Sequence, residues 1–467
     1  MKITKLALLA FTLSAPTAVF LAKANDPDTI ALIGGTLVDV SHLGHSTHDI
    51  PNAVVLLHGA TIAAAGSHAE VHIPKGAKIL DYTGAYILPG LVDGFAGLNS
   101  QAQANATLYM GVTTIAGSGD DRRGVLKLDC VPSPHIYPID SAGSTDNYSL
   151  LINLPEWSRK LKEGKELAEL SQADTEAQLR ATARRGTRAI WLGHNLTAAK
   201  TRYIIAECHR LGLITYGEFI STPFADGLKD GVDVLLHMTR YELGLVPDRL
   251  QRPLVTQPEG PAQDPAYAYI LQLDTADPSI TAYGRRIKAS HAALMPTFSL
   301  EYLTLPDHRN LWKEPAAAIL DPHGLHKPAD PVTGEAKFPS PQVRDRVRAE
   351  TAKFWAINRT LETVHPTYLA ASGASAVGTM PGISMHTELE LLVRLGLTPR
   401  EALAAATSNY SEQFGWHELG LLEKGRRADL LILDADPTVD ISNTRKIHSV
   451  LLGGTLIDRA ALLAAPR

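Results

Sequence analysis

Cysteine is nearly absent, with Cys130 and Cys208 the only two in 467 residues. A disulfide framework is therefore excluded as the basis of the fold, and two lone buried thiols are expected instead. Basic charge is not in excess: 44 Lys and Arg face 49 Asp and Glu, for a formal net charge of −5. That balance argues against nucleic acid or an anionic membrane surface as a partner. Beyond the N-terminus, no run is long and apolar enough to cross a bilayer, and no segment is of low complexity. One further absence matters most: between positions 73 and 134 there is no histidine.

What is present is the balance of an ordinary globular protein, 45% hydrophobic and 20% charged. The length suits one large domain plus a smaller one. Lys2 and Lys5 precede an apolar run from Leu6 to Leu21, and Ala22-Lys23-Ala24 follows as a small-x-small site. This is the pattern of a signal peptide over 1–24, and Pro16 within the run disfavours a permanent membrane helix. Its removal takes away Lys2, Lys5 and Lys23 and no acid, so the net charge moves from −5 to −8. The expected product is exported, periplasmic or extracellular, with no membrane attachment after cleavage.

Residues 30–87 read as short strands between Gly-rich turns, as do 426–457. The two ends echo each other in "LIGGTLVD" (32–39) and "LLGGTLID" (451–458). A small β-sandwich domain built from 25–87 and 422–467 is therefore expected. Between them, strands alternate with helices. "EAQLRATARRG", capped by Asp174-Thr175, precedes the strand "RAIWLG" (188–193). "AAKTRYIIAECHRLG" ends at Gly212 before "LITYGEF" (213–219), and "PFADGLKDG" precedes "VDVLLHMT" (232–239). Counted from "YILPGLVDGF", "GVTTIAG" and "CVPSPHIYPI" through "ALMPTFSL" and "TYLAASGAS", eight strand-like runs emerge. Eight βα units predict an α/β fold, a (β/α)8 TIM barrel over 88–421. Stretches 241–278 and 301–342 are expected as loops over the barrel mouth.

Six segments together resemble the amidohydrolase superfamily, in its imidazolonepropionase and Xaa-Pro dipeptidase-like branch. They are "YILPGLVDG", "LYMGVTTIAGSGD", "AECHRLGLITYGEF", "LKDGVDVLLHM", "HTELELLVRLGLTPREALAAATSNYSEQFG" and "LGLLEKGRRADLLILDADP". The resemblance covers roughly 30–460. Active members of that superfamily place His-x-His at the end of the first barrel strand, where alternate residues face one ion. Here those positions hold Phe95 and Gly97. The family's bridging lysine on strand four corresponds to Trp191, its strand-five histidine to Glu218 and its strand-six histidine to His237. The strand-eight aspartate corresponds to Ser375, with Ala374 before it. Asp93, which the family keeps ahead of the histidine pair, remains in place. Phe, Gly, Trp and Ser cannot hold a divalent ion as imidazole and carboxylate do. The resemblance therefore implies a family barrel without the usual pair of metals, and no cofactor is expected.

Glu218 and His237 come from neighbouring strands at one end, so they are expected to face each other. They are the candidate catalytic pair, with burial able to raise the glutamate's pKa, or else a salt-linked plug in a dead pocket. His194 is a candidate helper for one weakly held metal. His42, His45 and His48 in "SHLGHSTHD", and "HGLH" at 323–326, have the composition of metal clusters but equally of solvated loops. Ser372 and Ser375 form no Gly-x-Ser-x-Gly elbow.

Three functions follow. The first is a degenerate, exported amidohydrolase relative acting as a binding or partner subunit. It would take a small-molecule ligand in the barrel mouth, as a homo-oligomer or paired with an active paralogue. The second is a metal-independent hydrolase, lactonase or isomerase using Glu218 and His237. The third is a mono-metal amidohydrolase acting on C–N bonds of amides or cyclic amides.

Overall fold

A computed structural model of the chain describes residues 29–118, 131–143, 170–258, 260–374 and 376–464. The leader, Cys130 and Ser375 lie outside the described residues.

The strands in chain order begin with β1 (Thr29–Ile33), β2 (Thr36–Leu37), β3 (Ala53–His58), β4 (Thr61–Ser67), β5 (Lys78–Asp81) and β6 (Tyr86–Pro89). Then come β7 (Leu91–Asp93), β8 (Val112–Ser118), β9 (His135–Ser141), β10 (Ala189–Leu192), β11 (Ile214–Gly217), β12 (Val234–Leu236) and β13 (Ala293–Met295). The last are β14 (Leu430–Leu433), β15 (Ile447–Leu452) and β16 (Thr455–Leu456). Strands β1, β3, β4 and β5 form one sheet, in the order β4-β3-β1-β5. A second has the order β16-β15-β14-β6-β2, so both ends of the chain share it. Leu32, Val55 and Leu57 of the first sheet join Ile87, Leu430 and Leu451 of the second in one buried cluster.

The third sheet runs β13-β12-β11-β10-β9-β8-β7, and every pairing in it is parallel. Both of its faces are covered, as parallel sheets require. Alternate residues Tyr137 and Ile139, Ala189 and Trp191, Val234 and Leu236, and Ala293 and Met295 enter one cluster. Their neighbours Ile190, Leu192, Leu235 and Leu294 enter another, shared with the helices. The period of two divides each strand between a curled interior and a helical exterior.

Among the described residues this sheet has seven strands, not the expected eight. The segment 367–374, expected as the last strand, makes only an isolated parallel bridge between Tyr368 and Leu294. It still bonds on both sides: Leu369 N to Leu294 O at 2.9 Å, Gly94 N to Ala370 O at 3.2 Å and Gly373 N to Phe95 O at 2.9 Å. Side-chain bonds to Asp93 replace ladder bonds near its end, which is why no regular strand forms there.

Of the two expected mouth loops, the first is largely helical, with helices Asp248–Thr256 and Asp264–Gln272, while the second is mostly irregular and interrupted by short 3-10 turns from Phe298–Thr304 to Pro322–Gly324. Helix Gln172–Arg184 begins earlier than expected because Ser171, not Asp174-Thr175, is its cap. The Ser171 hydroxyl accepts from Asp174 N at 3.1 Å and lies 2.6 Å from Asp174 Oδ2, the usual exchange at a helix start. Helix Ala198–Arg210 closes at Gly212 with φ +70°, as its glycine implies. Cys208, on that helix, is a buried free thiol, and burial pushes its pKa up.

Candidate functional site

Strands β10, β11 and β12 end side by side, and each delivers a polar group just beyond its last residue. Glu218 follows β11 and is tied by its N–H to Leu192 O at 3.0 Å. His237 follows β12, its N–H bonding Met295 O at 3.0 Å. His194 lies two residues beyond β10. His194, His237 and Trp191 converge on the Glu218 carboxylate. His194 Nε2 is 2.9 Å from Oε1, His237 Nε2 is 3.7 Å from Oε2, and Trp191 Nε1 donates to Oε2 at 3.0 Å. The expected facing of Glu218 and His237 is thus present.

Two contributors were not legible in advance. Arg240, on the short helix Met238–Tyr241, donates from Nε to Glu218 Oε1 at 3.3 Å and from its terminal nitrogen to Tyr267 Oη at 2.6 Å. The only signal in the sequence was its place three residues after His237, which on a helix turns it back over the strand end. Thr297, just past β13, has its hydroxyl 2.6 Å from His237 Nδ1. Both residues have left-handed backbone, His237 at φ 56° and Thr297 at φ 50°. Such conformations cost on the order of 1–3 kcal/mol each outside glycine and cluster at functional sites.

The electrostatics reverse one expectation. Burial of Glu218 does oppose ionisation, but His237, His194 and Arg240 outweigh it and hold the carboxyl well below the usual range. Glu218 is therefore a fixed anion rather than a poised base.

The remaining positions have different fates. Phe95 is buried with its ring edge-on to His237, centroids 5.5 Å apart, and tilted against Tyr216. Gly97 is buried and its N–H bonds Ala374 O. Trp191, 6% exposed, packs at the inner face and edge-on to His194. Asp93 accepts from Ser372 N at 2.8 Å and from the Ser372 hydroxyl, stitching the first strand to 367–374. Burial outweighs those bonds and pushes Asp93 up to about 6. His42, His45, His48, His323 and His326 are exposed, as solvated loops would be.

Phe95, Gly97 and the indole of Trp191 offer no metal-ligand atom. His194 and Glu218 turn their donor atoms on each other, and the Arg240 cation lies against the same oxygen. Among the described residues, no group of three or more His, Cys, Asp or Glu is arranged to hold a metal ion. The residues present do not fit the family's metals.

Beside this cluster lies a cavity of about 620 Å3 lined by Asn195, Ser221 and residues 255–258 of the first insert. Its volume falls in the range of small-molecule sites.

The fold and this arrangement of strand ends define an α/β protein built on a curled, all-parallel sheet. A solved molinate hydrolase covers 95% of the chain, and is itself covered to 97%, at TM-score 0.58 and 16% identity. A Xaa-Pro dipeptidase with bound methionine in its active site gives TM-score 0.57 at 15% identity, covering 92% of the chain and 99% of itself. The description "Amidohydrolase family" matches residues 364–457. Imidazolonepropionase of Deinococcus deserti is 42% identical over 81 residues, 16% of this chain and 20% of that protein. The aligned part thus spans about a fifth of that relative's length. Residues 364–457 are therefore similar to the amidohydrolase family, and the chain as a whole shares the fold of these solved structures.

Proposed function

We propose that this is an exported amidohydrolase-fold protein that has lost the binuclear metal centre and binds a small polar organic molecule at the mouth. In this reading 367–374 acts as the eighth member of a closed barrel, and the two small sheets pack as a sandwich. The observation that carries the proposal is the engagement of Glu218: Trp191, His194 and Arg240 take up its oxygens. A carboxylate so occupied is a structural anion, with neither a lone pair directed at an ion nor a pKa suited to proton transfer. The ligand would enter the neighbouring cavity, where Asn195 Oδ1 is buried with no hydrogen bond.

The strained His237 backbone favours a second reading, a metal-independent acid–base site. There the imidazole of His237 moves the proton and Glu218 only orients it, the reverse of the roles that burial alone would give.

A library of cyclic amides, lactones and N-acyl amino acids, screened by thermal shift and by product formation in chelator, separates the two. Binding without turnover supports the first reading. Turnover that persists in chelator and disappears in His237→Asn replaces it with the second. Chelator-sensitive hydrolysis, with metal lost in Glu218→Gln, overturns both. Export is tested separately by the N-terminus of the secreted product, expected at residue 25.

A further inference from the structure

The second insert leaves the barrel after β13 and ends at the helix Pro341–Glu362. Within it, one side chain ties Leu305 to Gly334 and so closes the loop between them. His308 Nδ1 lies 2.6 Å from Leu305 O, and His308 Nε2 lies 3.2 Å from Gly334 O. The side chain is 3% exposed.

Both neighbours are backbone carbonyls, which accept hydrogen bonds and cannot donate them. A neutral imidazole has one N–H and one lone pair, so it serves only one of the two. A ring that bonds both is an imidazolium. Turning the ring over does not lift this requirement, because Cδ2 would then stand in the place of Nδ1 against Leu305 O. Carbon keeps about 3.3–3.6 Å from such an oxygen.

The carbonyls are fixed by bonds of their own. Leu305 N donates to Tyr302 O at 3.1 Å, Gly334 N to Asp330 O at 2.7 Å and Asp330 N to Glu335 O at 2.9 Å. Gly334 has φ +79°, and a Cβ there would lie 2.8 Å from Asn310 Cα, so this turn rests directly on the chain that follows His308. Asn310 Nδ2 also donates to Pro331 O and Val332 O, each at 3.2 Å.

The charges around the ring are compatible with a cation. Glu335 Oε1 lies 3.7 Å from Nε2, and Arg348 lies 3.3 Å from the other oxygen of Glu335. Asp307 takes both its bonds from Arg394, which holds its carboxyl below the usual range, and His308 adds to that effect. Arg309 is taken up by Glu390 at 2.7 and 2.8 Å. Tyr302 meets the ring edge-on, centroids 5.9 Å apart.

The loop reaches the mouth. Gly378 N bonds His326 O at 2.8 Å, and Gln103 Nε2 bonds Gly324 O at 3.3 Å, beyond the ends of 367–374 and of β7. Its first half is anchored elsewhere, through Arg309 to Glu390 and Glu314 to Arg445. The half that depends on His308 is 321–335.

We propose that His308 is a proton-operated clasp: as an imidazolium it holds 321–335 over the β7 side of the mouth, and on losing a proton it lets that segment open. The closed loop holds one proton more than the open one, so acid favours closure and rising pH releases it. The device is independent of what the mouth binds.

The test follows hydrogen exchange of the full chain by mass spectrometry at pH 5.5 and pH 8, with rates corrected for the intrinsic effect of pH. In the wild type, peptides from 321–335 should lose protection about tenfold at pH 8, as expected for a lost bond to a charged group. Helix Ala198–Arg210 serves as the reference and should not change. In His308→Gln and in His308→Lys protection of 321–335 should be equal at the two pH values, because neither side chain changes charge between them. Two variants are used so that one failing to fold leaves the other. Equal protection of the wild type at both pH values overturns the proposal, and so does a pH-dependent loss that persists in either variant. Imidazole nitrogen shifts of the wild type give a check that needs no stable variant beyond assignment. Both His308 nitrogens protonated at pH 5.5 is the expected result, and a single protonated nitrogen overturns the clasp.

Discussion

Arg240 places its Nε 3.3 Å from Glu218 Oε1, so a buried carboxylate has a permanent cation at its side. The two support each other, and removal of one leaves the other charged in a dry place. Glu218→Gln is expected to lower stability by about 3 kcal/mol at neutral pH, the typical result of breaking a buried pair. The pH dependence has a definite sign. The folded-state pKa of Glu218 is depressed, so its contribution is complete above the unfolded value, near 4.5. It is lost progressively as pH falls below that value towards the folded pKa. Urea midpoints at pH 7, 5 and 3.5 should show the wild-type advantage over Glu218→Gln level between 7 and 5 and reduced at 3.5. An advantage that grows on acidification would show that the carboxyl is protonated when folded.

His237 depends on Thr297 in a similar way, but through tautomer rather than charge. The Thr297 hydroxyl has one hydrogen and two neighbours at 2.6 Å, Pro296 O and His237 Nδ1. The Pro296 carbonyl can only accept, so Oγ1 is left to accept from His237 Nδ1–H. Thr297→Val keeps the shape and removes both bonds. Stability should fall by about 1 kcal/mol in urea, and the imidazole nitrogen shifts should report a changed tautomer. Unchanged nitrogen shifts would mean that the ring is held by packing against Phe95.

Much of this site could be read from residues alone, because strand ends are simple objects. β10, β11 and β12 are only three or four residues long, and the residue just past each is fixed by the period of two. Glu218 and His237 therefore lie just past β11 and β12, and Trp191 lies on the inner face of β10. Arg240 and Thr297 could not be read in this way, because their positions depend on how the chain leaves the strand. The run "ALMPTFSL" has a strand's composition, yet β13 stops at Met295, Thr297 turns left-handed and a 3-10 helix begins at Phe298. For the same reason the buried partner of that helix, Glu388, carried no signal. The pairing of His45 with Glu401 joins residues 356 positions apart, which no local pattern encodes.

Gly94 shows how tightly the first strand is set. A Cβ at this position would lie 1.8 Å from Tyr410 Oη and 2.8 Å from Met295 Cε. Tyr410 cannot retreat easily, since its hydroxyl donates to Ala370 O at 2.6 Å and its ring stacks on Trp416. Gly94→Ala should cost about 1–3 kcal/mol by overpacking. Adding Tyr410→Phe removes the nearest atom but leaves the ring carbon at 2.7 Å. Partial recovery of the melting temperature in the double variant is expected, and a purely additive loss would place the strain elsewhere.

Glu388 is another buried acid whose ionisation is shifted, and its sign is opposite to that of Glu218. It is fully buried and faces Phe298 N at 3.0 Å, Ser299 N at 2.7 Å and Ser299 Oγ at 2.8 Å. Burial outweighs those bonds, and with the nearby Asp93 charge pushes its pKa up to about 8. The Ser299 hydroxyl also lies 2.9 Å from Ser384 O. By donating there it frees its lone pair for a proton on Glu388, which is consistent with a protonated acid. A folded pKa above the unfolded value means that the folded state holds the extra proton between about 4.5 and about 8. Stability is then complete below the unfolded value and falls as pH rises through the folded one. Urea unfolding at pH 5, 6.5 and 8 should show that decline in the wild type. In Glu388→Gln the level will be lower, because an amide nitrogen cannot accept from Ser299 N, but the slope should flatten. A slope that survives the substitution would assign the proton to Asp93, whose pKa of about 6 acts in the same direction over a narrower span.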